Sequence, residues 1–249
     1  MMQYSVYDFK AFYNGRAGRV VRRTLQERLH EFWPDVKDLR VMGCGYALPY
    51  LRMLMEQPAE RAFAVIPARH GALHWPYDGR NLVCSAHSNA LPIETNSIDR
   101  ALLIHHLEFS EDLQSDLSEI WRVMKANGRL LVVVPNRAGL WARSDLSPFG
   151  QGRPFSMSQV CQVLRESLFV HERSDEALFF PPVERSFILK AAGMWEQTGR
   201  KLLPIVAGVH MVEVSKQLYA RVGPSSGSKV SARVRGILLP EPATRGTLR

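Results

Sequence analysis

Val41-Met42-Gly43-Cys44-Gly45-Tyr46-Ala47 is a short apolar strand that runs into a Gly-x-Gly turn and then straight into helix-forming sequence. Glycines at such a turn let the backbone bend sharply and approach a ligand, and the helix that starts next offers unpaired N–H groups to polar ligand atoms. A lone Gly-x-Gly serves equally as a tight strand-to-helix junction that holds nothing, so the flanking sequence has to decide.

Upstream, Val20, Val21, Leu25, Leu29 and Phe32 recur at helical spacing among Arg16, Arg19, Arg22, Arg23 and Arg28. This predicts an amphipathic helix over 16–33, ended by Pro34, whose basic face is either solvated or turned to phosphate or an acidic partner. Leu39 to Met42 forms the first strand and Ala47 to Gln57 the helix behind the glycine turn, with Pro49 tolerated in its first turn. Ala62 to Ile66 is an unbroken apolar run, expected to be a strand buried on both faces of a parallel sheet. Residues 68–76 are too broken for a long helix, and Leu82 to Cys84 makes a brief third strand. Asp99 to Ile104 reads as the fourth strand and Glu111 to Lys125 as a helix stopped by Asn127-Gly128, since Asn and Gly tolerate the left-handed conformation that closes a helix. Arg129 to Val134, the most apolar strand, is expected at the sheet centre.

Strands and helices alternating at this spacing predict an α/β fold, a Rossmann-like doubly wound sheet with helices on both faces, mostly parallel with an antiparallel C-terminal strand. In such sheets ligands gather outside the carboxyl ends of the strands. Beyond the fifth strand, residues 137–157 form an irregular segment of the kind used as a lid or substrate loop. Ser156 caps a helix over 157–167, Leu168 to His171 is a sixth strand, Val183 to Thr198 a helix with Phe187, Ile188, Ala191 and Trp195 inward, and Val209 to Tyr219 a final strand. The expected organisation is one domain over 1–220 and a disordered basic tail over 221–249, which lacks the apolar residues to offset the entropy of ordering.

The 249 residues carry a net charge of +8; residues 221–249 hold six basic and one acidic side chain, hence +5, leaving +3 for the rest. A nucleic-acid partner has only this charge in its favour. Cys44, Cys84 and Cys161 are widely spaced and odd in number, which suits reduced thiols, and no CxxC or HxxxH spacing supports a metal. Residues 1–10 lack the basic and apolar regions of a signal peptide, and no apolar run reaches the roughly 18 residues of a membrane helix, so a cytoplasmic protein is the expectation.

The middle of the chain carries a resemblance. Leu91 to Leu102 (LPIETNSIDRAL), then His105-His106-Leu107-Glu108, then Leu117 to Pro135 (LSEIWRVMKANGRLLVVVP) resembles class I S-adenosylmethionine-dependent methyltransferases of the group called type 11, over about residues 39–136. The family shows, in the same order, a Leu-Pro turn, a Ser-Phe-Asp strand, a His-x-Leu-Glu strand end, an Arg-Val-Leu-Lys-Pro-Gly-Gly helix end and an apolar strand closing on Pro-Asn. The resemblance implies that Gly43, Cys44, Gly45 and Tyr46 lie where the cofactor's methionine part and ribose pass, and that His105 and Leu107 line it from the fourth strand. It also sets out three departures. The acidic residue usual two positions before the first glycine is Val41, the acid that ends the second strand and holds the ribose falls at Ile66, and the Asp that meets the adenine amino group falls at His87, beside Ser88. The third glycine is Ala47. A charge-assisted hydrogen bond is worth about 1.5–3 kcal/mol, so loss of the ribose acceptor alone weakens binding by about one to two orders of magnitude.

Two functions follow as expectations. One is methyl transfer from S-adenosylmethionine to a small-molecule acceptor, with His105 or His106 as base and Trp141, Arg143 and Arg153 shaping the acceptor pocket; packing at a strand end accounts for the histidines equally well. The other is a methyltransferase-like fold whose cofactor site is weak or lost, serving as a binding or regulatory protein with a protein partner.

Overall fold

The computed structural model describes residues 4–55, 59–202 and 206–218, with the side chains of 201–202 left aside. The expected tail over 221–249 lies outside the described residues, as do Gln57 and Tyr219. Seven strands, β1 (Arg40–Gly45), β2 (Arg61–Pro67), β3 (Val83–Ala86), β4 (Ile98–Ile104), β5 (Met124–Pro135), β6 (Phe169–Ala177) and β7 (Val209–Lys216), form one sheet. Its order is β3-β2-β1-β4-β5-β7-β6. The first five strands pair in parallel, and β7 runs antiparallel between β5 and β6. The doubly wound, mostly parallel sheet with an antiparallel last strand is therefore as expected, although β4 rather than β5 holds the middle.

The two-residue period of the strands divides the core. Leu102 and Ile104 of β4 and Leu131 and Val133 of β5 join one apolar cluster with α1 (Val6–Asn14), α2 (Arg16–Phe32) and α3 (Leu48–Met55). Ala101 and Leu103, with Leu130, Val132 and Val134, face the other cluster under α4 (Leu113–Val123) and α5 (Met157–Glu166). Unbroken apolar runs are thus read as strands because both faces are covered. None of the described helices is long and apolar enough to cross a membrane.

Several boundaries differ from expectation. α1 is not foreseen by the sequence reading; Ser5 and Asp8 cap it reciprocally, with the Ser5 amide donating to Asp8 Oδ2 at 2.8 Å and the Asp8 amide to Ser5 Oγ at 3.3 Å. α4 ends at Val123, and Asn127-Gly128 does not stop it. Those residues belong to β5, where Met124 pairs with Ile98 and Arg129 with Arg100, so the surplus residues between them bulge and Asn127 takes φ +62°. The helix expected over 183–198 is two, α6 (Ser186–Lys190) and α7 (Ala192–Leu202). Phe187 and Trp195, expected inward, are 67% and 46% exposed, whereas Ala192 and Glu196 are buried. Two contacts set this phase: a Cβ on Gly199 would lie 2.5 Å from Phe179, and Glu196 accepts the Phe179 amide at 2.6 Å.

Candidate functional site

The carboxyl ends of β1 and β4 lie side by side, with Gly45 opposite Ile104. Gly45 has φ +81°, and a Cβ there would sit 2.3 Å from the Ile104 carbonyl oxygen and 2.6 Å from that of His105. The Tyr46 amide then donates to the Ile104 carbonyl at 2.9 Å. Gly43 admits α3 instead, since its Cβ would meet Ala47 Cβ at 2.6 Å and Leu51 at 2.9 Å. Both glycines are required by the close approach of chain to chain.

α1 crosses this turn. Phe9 and Tyr13, four residues apart and so on one face of the helix, both stack on Tyr46, with ring centroids 5.2 and 5.6 Å away and planes within 15° and 19°. Phe9 also packs on His105 at 5.0 Å, and Phe149 reaches His105 at 4.6 Å from the irregular segment after β5. Within this layer the Tyr50 hydroxyl donates to the Tyr13 hydroxyl at 2.9 Å. Tyr13 in turn meets His105 Nε2 at 2.9 Å, and His105 Nδ1 meets Glu108 Oε1 at 3.2 Å. Glu108 Oε2 accepts the His106 amide at 3.1 Å. The direction of the first bond fixes the rest: Tyr13 donates to Nε2, and Nδ1–H donates to the carboxylate. Burial pushes the Tyr13 and Tyr50 phenols up from their usual range and Tyr46 to about 12, so the phenols stay protonated. His105 itself takes φ +52°, an uncommon conformation for a residue other than glycine.

His106 lies on the other side of the strand end. Both of its ring nitrogens lack a hydrogen-bond partner, Nε2 is 3.7 Å from Asp116 Oδ2, and burial, with Arg69 and His70 nearby, lowers it to about 3. It is a neutral imidazole. Leu107 is buried in the second apolar cluster, as is Cys44, whose thiol burial pushes well up.

Beyond the aromatic layer, a cleft of about 380 Å³ opens between the β2 end (Pro67 to Arg69), the β3 end (His87 to Asn89) and the head of α4 (Glu111, Asp112 and Asp116). His87 and Ser88 are therefore brought together as expected from their place in the chain. Ile66 is not with them: it is 1% exposed and packs in the core, so the carboxylates facing this cleft belong to α4, not to β2. Trp141 is buried and donates Nε1–H to the Phe180 carbonyl at 2.7 Å. Arg143 is exposed, and the exposed Arg153 lays its guanidinium 5.5 Å above the Phe155 ring while its amide donates to the Glu108 carbonyl at 2.8 Å. The three do not converge on His105. Phe9, Tyr13 and Tyr50 are the residues sequence reasoning missed; the Ser5-x-x-Asp8 cap and the aromatic pair at i, i+4 were the available signals.

A nucleoside cofactor fits these residues in part. Ser88, Asn89, Glu111 and Asp112 offer hydroxyl partners at the open cleft, while the space beside Gly45 is filled by the chain's own backbone and by the ring of Tyr46 under α1. Among the described residues, no group of three or more His, Cys, Asp and Glu is placed to hold a metal ion.

This sheet order and turn are those of the class I S-adenosylmethionine-dependent methyltransferases, whose fold the chain has. Residues 42–132 match the sequence model of a methyltransferase domain family, type 11, so the resemblance to that family holds. A methyltransferase of Thermotoga maritima superposes with a TM-score of 0.57 at 17% identity, over 85% of this chain and 96% of that one. The Haloferax volcanii chain solved in complex with the Trm112 methyltransferase activator gives 0.60 at 16%, over 84% and 98%. Geranyl diphosphate C-methyltransferase of Streptomyces coelicolor, solved with S-adenosyl-L-homocysteine, gives 0.53 at 14%, over 77% and 75%. No curated protein matches the sequence.

Proposed function

We propose that the protein is an S-adenosylmethionine-dependent methyltransferase acting on a small-molecule acceptor. The observation that carries this reading is the family pattern over residues 42–132, combined with a polar cleft at the β2 and β3 ends beside the glycine turn. In this reading the nucleoside part lies by His87, Ser88 and the head of α4, and the methionine part passes Gly43, Cys44, Gly45 and Tyr46. His105 is the base: Glu108 holds its Nδ1–H, and a proton from the acceptor reaches Nε2 through the Tyr13 hydroxyl. His106, neutral and enclosed, packs at the strand end and takes no part in proton transfer. This reading requires α1 and the loop after β5 to move apart, so that the methionine part reaches the turn and Arg143 and Arg153 meet the acceptor.

A second reading is favoured by one observation. Ile66 in the core, with Phe9 and Tyr13 stacked on Tyr46, supports a fold that has given up catalysis and acts as a binding or regulatory protein, through a protein partner such as the activator bound by the Haloferax relative. Titration calorimetry with S-adenosylmethionine separates the two. Micromolar binding supports methyl transfer and sinks the second reading, whereas no heat at millimolar ligand overturns the first.

A further inference from the structure

A second cleft, of about 510 Å³, lies between α1, α2, α3 and the β2–β3 connection, and shares no lining residue with the polar cleft. Its size is that of a small-molecule site. Each of the three helices sends one cation to it: Lys10, Arg22 and Arg52. Among the described residues, no acidic residue lines it and none of the three cations is in an ion pair. Elsewhere on α2, Arg23 and Arg28 are each paired, with Glu27 and Glu31 at 3.0 Å. The cations come from three separate elements to one half-open cleft, where their fields add and favour an anion, although Lys10 and Arg52 are exposed and partly screened by water.

Beside the cations the lining is mixed, with polar Asn14, Gln26 and His74 among apolar and aromatic side chains. Tyr13 and Tyr46 make the floor, at 3% and 5% exposure, and Trp75 and Leu73 a side. Tyr77 stands at the mouth 92% exposed, a ring left in water beside the cations. An inorganic anion would use the cations and leave these rings idle; a neutral aromatic molecule would do the reverse.

We propose that this cleft binds a small molecule that carries a carboxylate or phosphate group on a flat apolar body, the anion held by Lys10, Arg22 and Arg52 and the flat part resting on Trp75 and against the edges of Tyr13 and Tyr46. Two of these floor and cation positions belong to α1, so the bound molecule also holds α1 against the glycine turn. The binding stands apart from the methyl-transfer reading; only the identification of the bound anion as the acceptor rests on it.

The test uses the full chain without S-adenosylmethionine, titrated by calorimetry with 1-naphthyl phosphate, 1-naphthoate, inorganic phosphate and 1-naphthol. At least one of the two naphthyl anions is expected to bind about tenfold or more tightly than both inorganic phosphate and 1-naphthol, since charge and flat surface act together only there. The tighter of the two identifies the head group. An Arg22→Gln/Arg52→Gln variant is expected to weaken that anion by about tenfold or more, and Arg23→Gln, which removes the same kind of charge outside the cleft, by less than about threefold. Equal affinity for the anions and 1-naphthol, no binding of any probe at millimolar concentration, or equal losses in Arg23→Gln and the cleft variant would each overturn the proposal. Naphthyl anion binding in a protein that does not bind S-adenosylmethionine would uphold it while removing the methyl-transfer reading.

Discussion

His105 shows how much a single position owes to its surroundings. The motif at the fourth strand end marks it, but the groups that define its chemistry, the Tyr13 hydroxyl and the Glu108 carboxylate, come from 92 residues upstream and three downstream. The near partner was legible in the sequence; the far one was not, because only the folding of α1 across the sheet brings it there. Tyr13→Phe keeps the ring on Tyr46 and removes the hydroxyl, leaving His105 Nε2 and the Tyr50 hydroxyl buried without their partner. A loss of about 1–3 kcal/mol is expected in urea denaturation, with the aromatic packing intact. Ile66 makes the complementary point. Its place at the end of an apolar run predicted a buried residue, and it is one, packed in the core, so polar partners at this end of the sheet come from the β3 end and the head of α4 instead.

Among the elements, α1 changes the site most. Its sequence has a capping pair and three apolar residues, Val6, Phe9 and Tyr13, on one stripe, a signal that is short and easily passed over beside the longer basic helix that follows. The junction between the two turns at Gly15, in extended conformation, and is tightened at Gly18, where a Cβ would lie 2.0 Å from the Phe12 carbonyl oxygen. Gly18→Ala therefore forces α1 off α2. We expect a cost of about 1–3 kcal/mol and, in native-state hydrogen exchange, faster exchange of the α1 and Tyr46 amides than of β4. The α4–β5 boundary and the split of α6 from α7 were misplaced in the sequence reading for a related reason. Asn127 takes the left-handed conformation, but a bulge uses that conformation as readily as a helix end, and the phase of α7 follows in part from how closely its backbone approaches Phe179 at Gly199.

At the scale of the whole molecule, two apolar layers enclose one sheet, and an ionisable group trapped between elements is linked to global stability. His106 is held near 3 against an ordinary value of 6.5. The folded state thus rejects a proton that the unfolded chain accepts, so its contribution to stability is complete above pH 6.5 and is lost progressively as pH falls towards 3. The loss runs at about 1.4 kcal/mol per pH unit, giving about 2–3 kcal/mol between pH 6.5 and 4.5. A His106→Leu variant removes this titration, and its unfolding midpoint in urea is expected to fall less than that of the unaltered protein over the same interval; parallel declines would show that His106 is not the group responsible. The sequence by itself determined the alternation of strands and helices, the parallel sheet and the glycine turn, because these follow from local periodicity and from strands that must bury both faces. Only the tertiary structure decided what fills the space above that turn. Phe9 and Tyr13 reach Tyr46 and His105 through the path of a helix whose position depends on packing between residues far apart in the chain, and no local pattern encodes that distance.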